Sequence, residues 1–168
     1  MINKLRRARA DLSTMNSLFP SAERVARDDG IDQPGAEHLL LAALDLEDGI
    51  AKAAMNTFQV DPAELRAAIV EQHEEALRTI GVIADDNAIA ASLPASGQPR
   101  GLYRAQGSMQ TAFQHAVALA KGDKAPLNSG YLLLAITEAD HGTVARSLEH
   151  LGVDRTSLRD HTRSLLAR

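Results

Sequence analysis

The sequence predicts an all-α fold: eight helices in two four-helix pseudo-repeats joined by a linker. Two observations carry this reading. The chain of 168 residues is 45% hydrophobic but only 3% aromatic, so its core must be built from Leu, Ala, Val and Ile. That composition suits close helix-on-helix packing, and segments rich in β-branched and aromatic residues are absent. The phrase "EHLLLAALDLEDGIAKAAM" from Glu37 also returns as "GYLLLAITEADHGTVARSL" from Gly130, and an internal repeat of this kind decides architecture.

The repeat keeps register. Leu39, Leu40, Leu41 and Ala42 fall on Leu132, Leu133, Leu134 and Ala135, a spacing of 93 residues. The same spacing carries Gly49 to Gly142, Asp61 to Asp154, Leu65 to Leu158 and Arg66 to Arg159. Met15, Phe19, Ala22 and Ala26 map onto Met109, Phe113, Ala116 and Ala120 at a spacing of 94, so one residue is lost before the second "LLLA" helix. The boundaries are repeat one over 12–80, a linker over 81–107 and repeat two over 108–168, all within one domain. Each unit is too small to stand well alone, so the two are expected to share apolar surface about a pseudo-twofold axis.

In the first helix, Met15, Leu18, Phe19, Ala22, Val25 and Ala26 share one face. Pro20 sits inside that pattern, so the helix either restarts there or is kinked; Gly30 stops it. The basic stretch from Met1 to Ala10 is either a solvated extension of this helix or an arm for an acidic partner. Helix two covers roughly 38–46 and is apolar nearly all round, hence central. An earlier start, with Asp32 capping and Pro34 in the first turn, is the alternative. Helix three follows Gly49. Helix four opens on "DPAEL", with Asp61 as N-cap, Pro62 at the first helical position and Glu64 closing a capping box. The stretch 83–107 is rich in Ala, Ser, Gly and Pro and reads as linker.

"GAEHLLLAAL", then "EDG", a helix, "VDP" and a final helix, all duplicated, resemble the amino-terminal repeat domain of the Clp ATPases, especially the ClpC and ClpA type. In that family each repeat carries a phrase like G-T-E-H-I/L-L-L-G/A-L and an E-G-x-A/G turn. The resemblance spans about 13–166. It implies a non-catalytic docking module of the Clp unfoldase–protease system that binds substrates, adaptors or, in some ClpC proteins, arginine-phosphorylated proteins. It therefore implies protein or peptide partners, with Clp ATPase or protease subunits among them, and leaves room for a small-molecule ligand. A free adaptor or decoy is the form expected here, since the chain begins with Met and carries no obvious tag. No G-x-x-x-x-G-K-S/T phosphate loop occurs.

The resemblance makes Gly35, Glu37 and His38 the candidate ligand- and peptide-binding residues. Glu37 matches the family's motif acid, which contacts the guanidinium of phosphoarginine; a carboxylate at a helix start suits those planar donors. Read without the resemblance, Glu37 complements the helix dipole and His38 is a packed or helix-terminal residue. Tyr131 takes the place of His38 in copy two, which suits a semi-buried ring with a polar tip. The family's Phe-Thr pair before the first helix, whose Thr helps hold phosphate, reads Asp11-Leu12 here and Ala105-Gln106 in copy two. The expectation is that Asp11 repels phosphate and that copy two, with Gly130 for the acid, has lost the ligand chemistry.

Neither a catalytic constellation nor a cofactor motif is present: no G-x-S-x-G elbow, no cysteine, and no histidine pair at zinc spacing. The net charge of −4 argues against nucleic acid. The alternative, a DNA-associated helical regulator using the basic N-terminal arm, lacks a Lys/Arg-rich recognition helix. The N-terminus has no apolar run of signal length and the chain no membrane span, so the expected location is the cytoplasm.

Overall fold

The computed structural model describes residues 2–79 and 106–167, with side chains from Lys4. The expected linker therefore lies almost wholly outside the described residues, as does the Asp85-Asp86 pair. Eight helices are described: α1 (Ile2–Asp28), α2 (Ala36–Leu44), α3 (Ile50–Thr57), α4 (Pro62–Thr79), α5 (Gly107–Gly122), α6 (Ser129–Thr137), α7 (Thr143–His150) and α8 (Arg155–Leu166). The described residues contain no strand, as the aliphatic composition requires.

α1 is one helix that passes through Pro20. The basic segment is its solvated first part, with Leu5 and Leu12 exposed. Asp11 and Leu12 therefore sit inside a helix rather than before one. α2 begins at Ala36, earlier than the apolar run, because Gly35 rather than Asp32 takes the N-cap position. At α4 the capping box forms as expected: Ala63 N–H donates to Asp61 Oδ1 at 2.7 Å, and Asp61 N–H donates to Glu64 Oε2 at 3.2 Å.

The helix ends repeat as faithfully as the sequence does. Ile31 N–H reaches back to the Ala26 carbonyl at 2.8 Å, and Ala125 N–H to that of Ala120 at 2.9 Å. Val60 and Val153 bond the carbonyls of Met55 and Leu148 in the same way. Each closure needs one residue with positive φ. Gly30 and Gly152 supply it in two cases, and Gln59 and Lys124 in the other two.

α2 and α6 are central and pack on each other. Leu39, Leu40, Leu132 and Leu133 are fully buried. Phe19 and Phe113, equivalent in the repeat, meet with ring centroids 4.9 Å apart. The peripheral helices cross between copies: α3 packs on α8, and α4 on α7. One continuous core results, drawing residues from every helix. These crossings are what place the functional groups.

Candidate binding pocket at the start of α2

Gly35, Glu37 and His38 come together at the N-terminus of α2. His38 is fully buried, and its Nδ1 accepts the Gly35 N–H at 2.9 Å. It fills the role a Glu or Gln takes three residues into a capping box. This bond puts the ring proton on Nε2, which faces Asp29 Oδ2 at 3.6 Å. Asp29 in turn accepts from Arg66 at 2.6 Å through Oδ1.

Glu37 is 6% exposed. Its carboxylate folds back over Gly35, so a Cβ at Gly35 would lie 2.6 and 2.7 Å from the two oxygens. Glycine is what lets the carboxylate lie here, by close approach and not by backbone angle, since its φ of −99° is open to any residue. Oε1 lies 3.2 Å from His73 Nε2 and 3.4 Å from His38 Nδ1. Burial pushes the Glu37 carboxyl up, but the His73 hydrogen bond and the neighbouring imidazoles outweigh it, so the pKa falls below the ordinary value. Asp29 behaves alike: burial opposes ionisation, and His38 and Arg66 overcome it. Glu37 is thus held as an anion.

This carboxylate lines a cavity of about 620 Å³ bounded by the starts of α2, α5 and α7. Ser108 Oγ accepts from Ala36 N–H at 3.3 Å across the mouth. The floor is apolar, with Ala112, Ile136 and Val144; His115, Glu138, His141 and Thr143 add polar groups.

The arm beside Glu37 comes from the other copy. Gln106 N–H donates to the Pro34 carbonyl at 3.0 Å and its Nε2 to the Gln33 carbonyl at 2.9 Å. Asp11 instead accepts the Leu127 N–H at 2.8 Å, next to α6. The expected repulsion of phosphate from Glu37 by Asp11 is therefore corrected: α1 and α5 pack chiefly on α2 and α6 of their own copies, but Asp11 bonds the segment ahead of α6 while Gln106 occupies the flank beside Glu37.

Copy two is closed at the equivalent place. A Cβ on Gly130 would lie 2.8 Å from Ile50 Cγ2 and 2.9 Å from Leu166 Cδ2. Asn128 Oδ1 accepts the Gly130 and Tyr131 N–H groups. Asp48 accepts the Ser129 and Ile50 N–H groups at 3.0 and 3.1 Å, and the Ser129 hydroxyl as well. One carboxylate of the chain itself thus seals the starts of α3 and α6. At the equivalent place in copy one stands His141, a lining residue of the open cavity. Tyr131 is buried and donates to Asp123 Oδ2 at 3.0 Å, where His38 faces Asp29. Among the described residues no group of three or more acidic, His or Cys side chains could hold a metal ion. None of the described helices is long and apolar enough to cross a membrane.

Sequence reasoning missed His73 on Glu37, Asp29 facing His38, and Ser108 on the Ala36 N–H. One signal was available: the repeat that pairs Glu37 with Gly130 also pairs His73 with Leu166.

The fold and pocket define a class: a duplicated, all-helical module with one open helix-start pocket and one sealed. The family model for the Clp repeat (R) N-terminal domain matches residues 13–96, and the chain belongs to that family. Such domains are the substrate- and adaptor-binding modules of Clp ATPases. The fold is similar to that of the N-terminal domain of the chaperone ClpD from Arabidopsis thaliana. The TM-score is 0.61 at 15% identity, over 92% of this chain and 93% of that one. The Hsp104 N-terminal domain from Candida albicans gives 0.58 at 14% identity, over 89% and 86%. A chain from a malarial protein secretion system gives 0.55 at 13%, over 90% of each. No curated protein sequence matches the chain.

Proposed function

We propose that the protein is a non-catalytic binding module of the Clp unfoldase–protease system. In this reading Gly35, Glu37 and His38 form the start of its ligand pocket. The ligand is a substrate, an adaptor segment or a modified, phosphoarginine-like side chain, and the protein works as a free adaptor or decoy. The observation that carries the reading is Glu37: a buried carboxylate held ionised on the wall of an open cavity. Such a group receives planar guanidinium donors well. Its apolar lining suits the aliphatic stem of an arginine, and the starts of α5 and α7 lie on the same cavity, a setting that suits an anion carried on the same side chain.

Only copy one is assigned this role. In copy two the acid is absent and its place is filled by Ile50 and Leu166. Titration calorimetry with phosphoarginine tests the reading. Weak binding is expected, and Glu37→Ala should remove it. Binding that survives Glu37→Ala overturns the site. For the cellular role, capture from the source lysate should recover Clp subunits or Clp clients, and Glu37→Ala should lose the clients.

A further inference from the structure

We infer that His73 is a resident occupant of the guanidinium seat on Glu37, and that it sets how tightly the pocket takes a cationic side chain. The inference rests on the reading of Glu37 as the ligand-contacting acid.

Three observations support it. First, His73 Nε2 lies 3.2 Å from Glu37 Oε1, the geometry of a donor on a carboxylate, and it reaches this point from α4 across 36 residues of chain. The other imidazole near that oxygen cannot act the same way, because His38 Nδ1 already accepts the Gly35 N–H. Second, the His73 side chain is 23% exposed while that of Glu37 is 7% exposed. His73 is thus the more accessible partner of the pair, and its ring can leave Glu37 without uncovering the core cluster, of which it is not part. Third, the repeat changes the two positions together. Where copy one has Glu37 with His73, copy two has Gly130 with Leu166, and Leu166 Cδ2 is 2.9 Å from a Cβ built on Gly130. α4 and α8 thus each set one side chain on the start of the central helix. One pair is a buried acid with its donor; the other is a vacancy with its plug.

The consequence is competition. A guanidinium that takes both Glu37 oxygens must displace His73 from Oε1, so part of its interaction with Glu37 only exchanges one hydrogen bond for another. This accounts for the weak binding expected of phosphoarginine even though the acid is present. It also makes His73 a selectivity residue: bidentate guanidinium donors can displace a single imidazole N–H, and a lone neutral donor gains nothing by doing so.

The test compares the wild type with His73→Leu, His73→Gln, and His73→Leu combined with Glu37→Gln, using phosphoarginine as the probe in calorimetry. Thermal melts establish that each variant is folded. His73→Leu should tighten binding by about tenfold, the size of one hydrogen bond to a charged group. His73→Gln keeps a donor at the same reach and should stay near the wild type. The double variant should lose the whole gain. If His73→Leu binds no tighter, or His73→Gln gains as much, the inference fails while the Glu37 reading stands. If the double variant keeps the affinity of His73→Leu, Glu37 is not the contact and both fail.

Discussion

Asp48 offers the sharpest test of how the two copies are joined. Its carboxylate lies two residues ahead of α3 and reaches across to α6 of the other copy. It accepts the Ile50 N–H at 3.1 Å, the Ser129 N–H at 3.0 Å and the Ser129 hydroxyl. Ser129 is fully buried, and its Oγ accepts in turn from Ala51 N–H at 2.9 Å. Asp48→Ala therefore removes a cap from two helices at once. Loss of one cap costs about 1 kcal/mol, so about 2 kcal/mol is expected. The Asp48 residue itself is exposed, so water can enter and hold the loss near that figure rather than at the full cost of buried orphan donors. In a domain of this size that lowers Tm by roughly 4–8 °C. Urea denaturation followed by circular dichroism reads it as a shift in midpoint at constant slope. Asp48→Asn keeps one acceptor and should lose about half. A change below about 0.5 kcal/mol in Asp48→Ala would refute the reading that one carboxylate locks both helix starts.

Three further predictions concern the pocket and its sealed counterpart. Gly35→Ala places a methyl group 2.6 Å from a Glu37 oxygen. The carboxylate can swing away, so the melting temperature should hardly move while phosphoarginine affinity falls, read by calorimetry. The lowered Glu37 pKa stabilises the fold in full above the ordinary value of 4.5, and that contribution is lost as pH falls through the folded value. Wild type should therefore lose stability in acid more steeply than Glu37→Gln in parallel melts. Tyr131 is pushed up to about 12, first by burial and then by Asp123. A raised value stabilises in full below the ordinary tyrosine value of 10.0 and is lost as pH rises towards 12. Tyr131→Phe should flatten the alkaline decline between those limits.

The fold was legible because its signals are local or periodic. The "LLLA" runs, the Asp61 and Asp154 starts and the constant spacing each act within a few residues, and the helices formed where they point. The pocket was legible in part. Glu37 and Gly35 were visible from their motif, and His38 was visible as a residue that is packed and helix-terminal. What the sequence hid is the crossing. In a duplicated chain, a helix can pack on its own copy or on the other with the same apolar face, and the local pattern is identical in both cases. That ambiguity is why Asp11, rather than Gln106, was set against Glu37. The Asp48–Ser129 and Gln106–Pro34 contacts depend on the segment before α3 and the start of α5 reaching the other copy, whereas His73–Glu37 joins α4 to α2 within copy one. The coupled change of His73 to Leu166 and Glu37 to Gly130 is the trace that the sequence carries of the contact between the central and last helix inside each copy.

The central claim is that one helix-start pocket is open and ligand-binding while its twin is sealed. Amide chemical shifts in a titration with phosphoarginine test it most directly, because they report weak binding residue by residue. Shifts are expected around Ala36–Leu39, Gly107–Ser108 and Thr143–Val144, and none around Ser129–Tyr131. Shifts centred on Ser129–Tyr131, or no shifts at any ligand concentration, would contradict it.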